Sequence, residues 1–552
     1  MDSESLILFA TIALLFLIWM VSGLWTAYRN KERLKQKLRA QKGNRPNKRY
    51  EDMELRNLAS GGIKPYDIDE ITWNDLSMDE LFARVDYTYS QSGEQVLYEI
   101  LRNPTMDETV LRHREEVISF FAQNDDARIK MQLRFAAIGR NGKYSLPQYL
   151  SYLESAPQKS NLKDGIVLLC IFLSAIALLW KPDYAAIVLC ILLVYNFISY
   201  MKEKGKQSPY IATFSYVIRF LRQLDKLIEA CPAVLSDEKT QMQEIRNSFR
   251  SFRFGAFVVT DQNKDSGNPV SLLLDYVCMF LHLDLIKYRQ MHKIVANQNE
   301  QLLLAFETAG FIEAMISIAL YRSSLHKYCL PTLNHEACPT LSCEGLVHPY
   351  LEEAVGNDLT AEKGILLTGS NASGKSTFLK AVALAGIMAQ SIHTVCADCY
   401  TSSYVKVYSS MALSDDIIAG NSYFIVEIMA LKRIFDAAKQ NVPIRAFVDE
   451  VLRGTNTAER IAASVELLKA LCNQNVQVFA ATHDLELAKL LMPGYENYHF
   501  TEQIVDGDVQ FSYEIKEGYA TSRNAIALLS AFGFDKEVVA KAKDRVKQFE
   551  PK

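Results

Sequence analysis

The hydrophobic pattern opens with residues 5–28, which hold no charged residue and are mostly Leu, Ile, Phe, Ala and Trp. At 1.5 Å rise per residue, 24 such residues are enough to cross a hydrocarbon core of roughly 30 Å, so a transmembrane helix is expected over 1–28. Two more apolar runs, 165–180 and 184–201, flank the polar turn Lys181-Pro182-Asp183. Their nearly unbroken apolarity differs from the one-sided stripe of a globular-surface helix and predicts a transmembrane hairpin over 161–203. A buried helical hairpin or a re-entrant loop competes, because each run is short for a span.

Elsewhere the periods change. Residues 51–160 read as mostly helical, with apolar positions at helical spacing in 79–85 and 94–101, an interruption at Pro104, and a further helix over 108–121. Long helices are expected within 204–331, for instance 210–230 and 272–320. From about Thr332 short apolar strands alternate with helices, the pattern of an α/β layer architecture over 332–552.

Charge sharpens this picture. The chain has 552 residues, with 60 Lys and Arg against 64 Asp and Glu, a net charge of −4. That average hides a step: residues 1–28 carry −2, 29–49 carry +9 from ten Lys/Arg against Glu32, and the rest sums to −11. A protein built as a polycation for coating nucleic acid is thereby excluded. The basic linker 29–50 directly behind the first apolar run puts that linker inside and Met1 outside. An acidic front and a long core do not fit a cleaved signal peptide. If the hairpin also crosses, every bulky segment lies on the cytoplasmic side of a cell membrane. A composition of 49% hydrophobic residues excludes a disordered chain, and length alone suggests three to four structural units. The ten cysteines read as free, buried small hydrophobes. Cys396 and Cys399 have CxxC spacing, but no second Cys/His pair stands nearby to complete a zinc site.

Four motifs carry chemistry. Gly369-Ser370-Asn371-Ala372-Ser373-Gly374-Lys375-Ser376-Thr377 matches the P-loop pattern, with an apolar strand before it and an Ala/Leu-rich helix after it. Its glycines let backbone N–H groups close around phosphate oxygens at a helix N-terminus. Lys375 is expected on the β- and γ-phosphates of ATP and the Ser376 hydroxyl on Mg²⁺. The apolar run Arg445-Ala446-Phe447-Val448 ends in Asp449-Glu450; there Asp449 would hold Mg²⁺ through water and Glu450 would orient or deprotonate the attacking water. A third strand ends at Thr482-His483, placing His483 as a γ-phosphate sensor. The fourth motif runs from Ser414 through Gly420, Asn421 and Ser422 to Glu427, a small-residue loop opening a helix. By itself that loop is an ordinary N-cap.

With all four in this order the chain resembles the MutS family of ABC-type ATPases. The likeness covers the C-terminal part from about Cys338, including His348-Pro349 before the P-loop, Thr455-Asn456-Thr457 after Glu450, and the tail Gly518…Asn524-Ala525…Gly533…Ala540-Lys541-Ala542. A fainter likeness covers 86–93 through Pro104 and 111–114, the start of the family's helical core. The resemblance implies an ABC-type P-loop domain behind a helical core, here interrupted by the hairpin. It also implies a homodimer with composite ATP sites: Gly369–Thr377, Asp449, Glu450 and His483 on one face, and Ser422 reaching the partner's γ-phosphate. DNA is the partner the family implies. The chain departs from the family at Ser370, Ala372 and Ser373, where Pro, Met and Gly are usual, and at Leu452 and Asn456. Nothing ahead of the core has room for the family's mismatch-reading domain and its Phe-x-Glu wedge. Two functions follow as expectations: a membrane-anchored MutS-like ATPase related to DNA repair, or an ATP-driven switch acting on membrane proteins without DNA. Transport is disfavoured, since the apolar runs hold no charge to mark a substrate path.

Overall fold

The structure, a computed structural model, describes residues 3–46, 48, 50, 67–140, 160–253, 276–370, 373–411, 423–452, 456–473, 475–505, 508–520 and 534–546, with isolated positions in 55–58, 147–151 and 255–259. The chain divides into two compact units. The first takes 1–64, 86–98 and 116–323; the second takes 65–85, 99–115 and 324–552.

In the first unit one helix, Ser3–Arg39, runs through the first apolar stretch and into the basic run. Residues 29–39 are therefore helix and not linker, as suits a run of Lys, Arg, Gln and Leu, all good helix formers. The end of that helix and the basic residues after it dock on the rest of the unit. Leu38 is fully buried, Arg128 donates to its carbonyl at 3.3 Å, Lys42 pairs with Asp125 at 3.1 Å, and Lys48 pairs with the buried Asp86 at 2.6 Å.

Helices Leu162–Ala177 and Pro182–Ala230 form the hairpin. Ile187, Ile191 and Val194 on the second are about 60% exposed. Over Pro182–Lys206 the mean hydropathy is 2.0 with only 17% of the apolar window buried. This helix does not stop at the lysines of 202–206. It continues into the unit's core, where Phe214, Phe220 and Leu224 are fully buried and Phe220 meets Phe306 edge-on at 4.4 Å. The helix expected over 272–320 breaks twice instead. His282 takes a left-handed φ of 53°, and Gln298 separates Leu283–Asn297 from Asn299–Ser324.

Asn299–Ser324 is also long and apolar enough to span a membrane, but 78% of its window is buried, and it forms the core of the unit. It meets the helix Gln91–Arg102 at a glycine contact. A Cβ on Gly310 would lie 2.4 Å from the Ser92 carbonyl oxygen and 2.6 Å from Val96 Cγ2. Gly310→Ala should therefore cost about 1–3 kcal/mol, since backbone stands in the way and cannot swing aside. A denaturant midpoint equal to that of the parent chain would contradict this contact.

The second unit carries two sheets. The smaller contains β1 (Thr332–Asn334), β2 (Leu341–Leu346), β3 (Asn357–Ala361) and β5 (Cys399–Ser403), in the order β1-β5-β2-β3. The larger contains β4 (Gly364–Thr368), β6 (Lys406–Ser410), β7 (Ile444–Asp449), β8 (Val476–Ala481), β9 (Tyr495–Val505) and β10 (Asp508–Glu517), in the order β10-β9-β4-β8-β7-β6. All its pairings are parallel except β9 with β10. Strands β4, β7 and β8 are buried at every position, as expected for parallel strands covered on both faces. Arg445, fully buried on β7, donates to Gln477 Oε1 at 2.9 Å, to Ser402 Oγ on β5 at 3.0 Å and to the Thr340 carbonyl at 2.8 Å. It thereby ties the two sheets together.

Residues 65–85 and 99–115, expected with the helical core, count with this α/β unit. Their contacts explain why. Asp75 accepts from Ser409 Oγ at 2.7 Å and from the Met411 N–H at 2.9 Å, and Arg102 stacks on Trp73 at 3.9 Å. These bonds hold the helix Glu70–Asp75 against β6.

Candidate nucleotide site

Parallel strands deliver their carboxyl ends to one edge of a sheet, and here three are in register. Leu367 on β4 and Asp449 on β7 both pair with Ala481 on β8. The residues just past those positions are the P-loop, Glu450 and Thr482-His483. Three motifs far apart in sequence thus converge at the topological edge where α/β sheets bind ligands.

The P-loop leaves β4 at Gly369, whose φ of 139° excludes other residues; a Cβ there would lie 2.9 Å from Ser373 Oγ. Gly374, at φ 104°, opens the helix Lys375–Ser391. Ser373 Oγ closes the loop by donating to the Ser370 carbonyl at 2.8 Å. Lys375 is almost fully buried, and its ammonium caps the Gly369 and Ser370 carbonyls at 2.7 and 2.6 Å. The Ser376 hydroxyl donates to Asp449 Oδ2. Thr377 follows on the exposed side of the same turn. Asn371 and Ala372 lie outside the described residues, as do Ser422 with its loop, Thr455 and the tail residues Asn524, Ala525 and Gly533.

Glu450 is held in a left-handed conformation at φ 58°, with its N–H on the Ala481 carbonyl at 2.9 Å. His483 Nδ1 lies 3.2 Å from Glu450 Oε1. That hydrogen bond holds the imidazole pKa above its ordinary value, against the opposing effect of partial burial. The pairing is complete below the ordinary histidine pKa and is lost as pH rises through the raised one. An imidazolium pinned to Glu450 makes the carboxylate a poorer base. If the site hydrolyses ATP, as proposed below, kcat/KM should therefore rise with pH through a midpoint above about 6.5. In His483→Gln that step should vanish, and an unchanged profile would separate His483 from Glu450.

A divalent cation fits this donor set. Among the described residues no group of three or more His, Cys, Asp or Glu is gathered to cage a metal. The Ser376 hydroxyl and Asp449 carboxylate are hard oxygen donors that leave most of an octahedral shell to water and phosphate, as Mg²⁺ prefers. Lys375 would supply the matching positive charge for a phosphate.

Several roles escaped the sequence reading. Glu427, the last residue of the fourth motif, is buried and accepts from the Leu452 N–H, fixing the chain just past Glu450. Arg460 grips Asp484 with two bonds, at 3.0 and 3.2 Å, and steadies the turn bearing His483. Beside the loop lies a cavity of about 300 Å³ lined by His348, Val355, Gly374, Thr377, Phe378 and Tyr513, among others. Burial pushes His348 down to about 4, so it is neutral there. Tyr513 sits on a bulge of β10 at φ 54°, held by Asn357, which donates to the Tyr513 carbonyl at 3.0 Å and accepts from the Ile515 N–H at 2.7 Å. Only the bulge turns that ring toward Gly374, and the alternating pattern of the strand gives no sign of it.

Residues 365–550 match the family model for MutS domain V. The chain is similar to the DNA mismatch repair protein MutS of Thermus aquaticus, 33% identical over 201 residues, covering 36% of this chain and 24% of that protein. It is also similar to the DNA mismatch repair protein MutS 2 of Haloarcula marismortui, 28% identical over 277 residues, covering 45% and 29%. A third relative, the DNA mismatch repair protein MutS of Natronomonas pharaonis, is 27% identical over 271 residues, covering 47% and 31%. The chain thus spans 24–31% of the length of these curated relatives.

Proposed function

We propose that this chain, which belongs to the MutS family through its domain V, binds and hydrolyses Mg·ATP at the edge formed by β4, β8 and β7. The observation that carries the reading is the Ser376–Asp449 contact beside the Glu450–His483 pair. In it Lys375 exchanges the Gly369 and Ser370 carbonyls for phosphate oxygens, and Ser376 and Asp449 hold Mg²⁺, which neutralises phosphate charge. Glu450 orients or deprotonates the attacking water, and His483 senses the γ-phosphate. Tyr513 and Val355 give the nucleobase an apolar, stacking surface in the adjoining cavity. The chain acts as a homodimer in which Ser422 completes the partner's site, as the family resemblance implies.

The same proposal has residues 5–28 of the helix Ser3–Arg39 and the hairpin over 161–203 crossing a cell membrane, the N-terminus outside and domain V in the cytoplasm. What supports it is a hairpin apolar on faces the protein leaves open, followed by Lys202, Lys204 and Lys206.

The relatives are named as mismatch repair proteins, and a DNA-directed role related to repair is the first reading. One observation favours the second, an ATP-driven switch on membrane proteins without DNA. Lys42 and Lys48, part of the one strongly basic run, are already paired with Asp125 and Asp86, which leaves less charge for phosphate backbones. The deciding experiment is ATPase activity of the detergent-solubilised full-length chain with and without homoduplex and mismatched DNA across a salt series. Magnesium-dependent turnover is expected, with any stimulation by DNA weak, blind to the mismatch and lost at high salt; complete indifference to both DNAs would favour the second reading. Tight, mismatch-selective stimulation would return the role to repair, and absence of turnover would overturn the ATPase reading.

A further inference from the structure

Just before His282 the chain makes a helical turn, 276–281, of sequence Tyr-Val-Cys-Met-Phe-Leu. Four of its side chains are open: Tyr276 is 58% exposed, Val277 37%, Phe280 46% and Leu281 44%. Scattered apolar residues on a surface need no explanation, but four within six positions make a patch that does.

The turn is fastened to both helices of the hairpin. Asn196, on the second helix, donates to the Phe280 carbonyl at 3.0 Å. On the first helix, Asp164 Oδ1 lies 2.9 Å from His282 Nδ1, and its other oxygen accepts from Arg289, which also donates to Asn161 at 3.1 Å. Tyr200 donates to Asp284 at 2.9 Å, and Lys204 pairs with the same carboxylate at 3.2 Å. Asp164, His282, Asp284 and Arg289 are all at least nine-tenths buried, so this collar turns its charge inward.

The collar marks where the hairpin's apolar surface ends. Asp164 is the third residue of the first helix, and Lys202, Lys204 and Lys206 close the apolar run of the second. At this level the patch 276–281 faces outward. Six residues reach only about 9 Å, too short to cross a bilayer but suited to its surface. A tyrosine and a phenylalanine are side chains that settle at the headgroup boundary.

We infer that residues 276–281 are a membrane-surface element, lying among phospholipid headgroups against the base of the hairpin. The inference rests on the proposal that the hairpin enters the bilayer, and it adds where the bilayer surface meets the protein. The left-handed kink at His282 then turns the chain from the lipid surface into the soluble helix Leu283–Asn297.

The test uses the full-length chain in vesicles of mixed zwitterionic and anionic phospholipid. A dansyl-bearing amino acid replaces Tyr276, Leu281 or, as a depth reference, Ile191 on the hairpin. Each is read against phospholipids spin-labelled near the headgroup or near the chain end, and against aqueous iodide. Emission from positions 276 and 281 should be lost mainly to the shallow label, and that from 191 mainly to the deep one. Stronger loss to the deep label at 276 and 281 would overturn the surface placement. Quenching there by iodide alone would leave the patch in water. Insensitivity to all three would mean that protein covers it, such as a second copy of the chain. Any of these with position 191 still lipid-quenched defeats this inference alone, whereas position 191 dark to both lipid labels defeats the membrane proposal itself.

Discussion

Glu450→Gln is expected to keep ATP binding and to lose roughly 10²–10⁴-fold in turnover, the span that a positioned general base contributes. The substitution is nearly isosteric, so the left-handed backbone at this position and its bond to the Ala481 carbonyl should survive. Asp449 and Ser376, proposed to hold the cation, are untouched. What is lost is an oxygen able to take a proton from water, together with the carboxylate that His483 faces at 3.2 Å. Single-turnover hydrolysis compared with equilibrium ATP binding separates the two effects. Parental turnover in Glu450→Gln would remove this residue from the chemistry.

Arg445→Ala should cause the largest loss of stability in domain V, roughly 3 kcal/mol or more. It empties the volume of a fully buried side chain and strands the three oxygens that the guanidinium now serves. Arg445→Met should cost less, because it fills most of the space and also removes a charge that burial disfavours. The order of denaturant midpoints, parent above Met above Ala, checks this. Ala and Met variants of equal stability would mean that packing at this position matters little. Since β7 leads from Arg445 to Asp449 four residues on, the Ala variant should also weaken ATP binding.

The convergence of the candidate site's motifs was legible because the chemistry of phosphate binding dictates both residue type and position. A glycine-rich loop, a carboxylate pair and a His each follow an apolar run, and apolar runs of that length in an α/β pattern become parallel strands whose ends converge. Tyr513, Glu427 and Arg460 were not legible, since each acts through a bulge, a buried acceptor or a paired acid that only the folded chain brings into place. The same limit applies to 65–85, which joins the α/β unit through Asp75 and Ser409, 334 positions apart. Apolarity alone was ambiguous in a different way. Asn299–Ser324 and Pro182–Lys206 both meet the length of a membrane span, but the first is mostly buried in the protein and the second mostly open. Helix boundaries were lost where charged residues are good helix formers. The basic stretch after Tyr28 and the lysines near 204 both continue helices that a reading of charge would end.

Every role proposed for this site depends on Lys375 holding ATP at the in-register ends of β4, β8 and β7. Equilibrium binding of a fluorescent ATP analogue with Mg²⁺ to the full-length parent, Lys375→Ala and Glu450→Gln tests it most directly. Binding is expected for the parent and for Glu450→Gln, and its loss for Lys375→Ala. Lys375→Ala binding the nucleotide as tightly as the parent would contradict it.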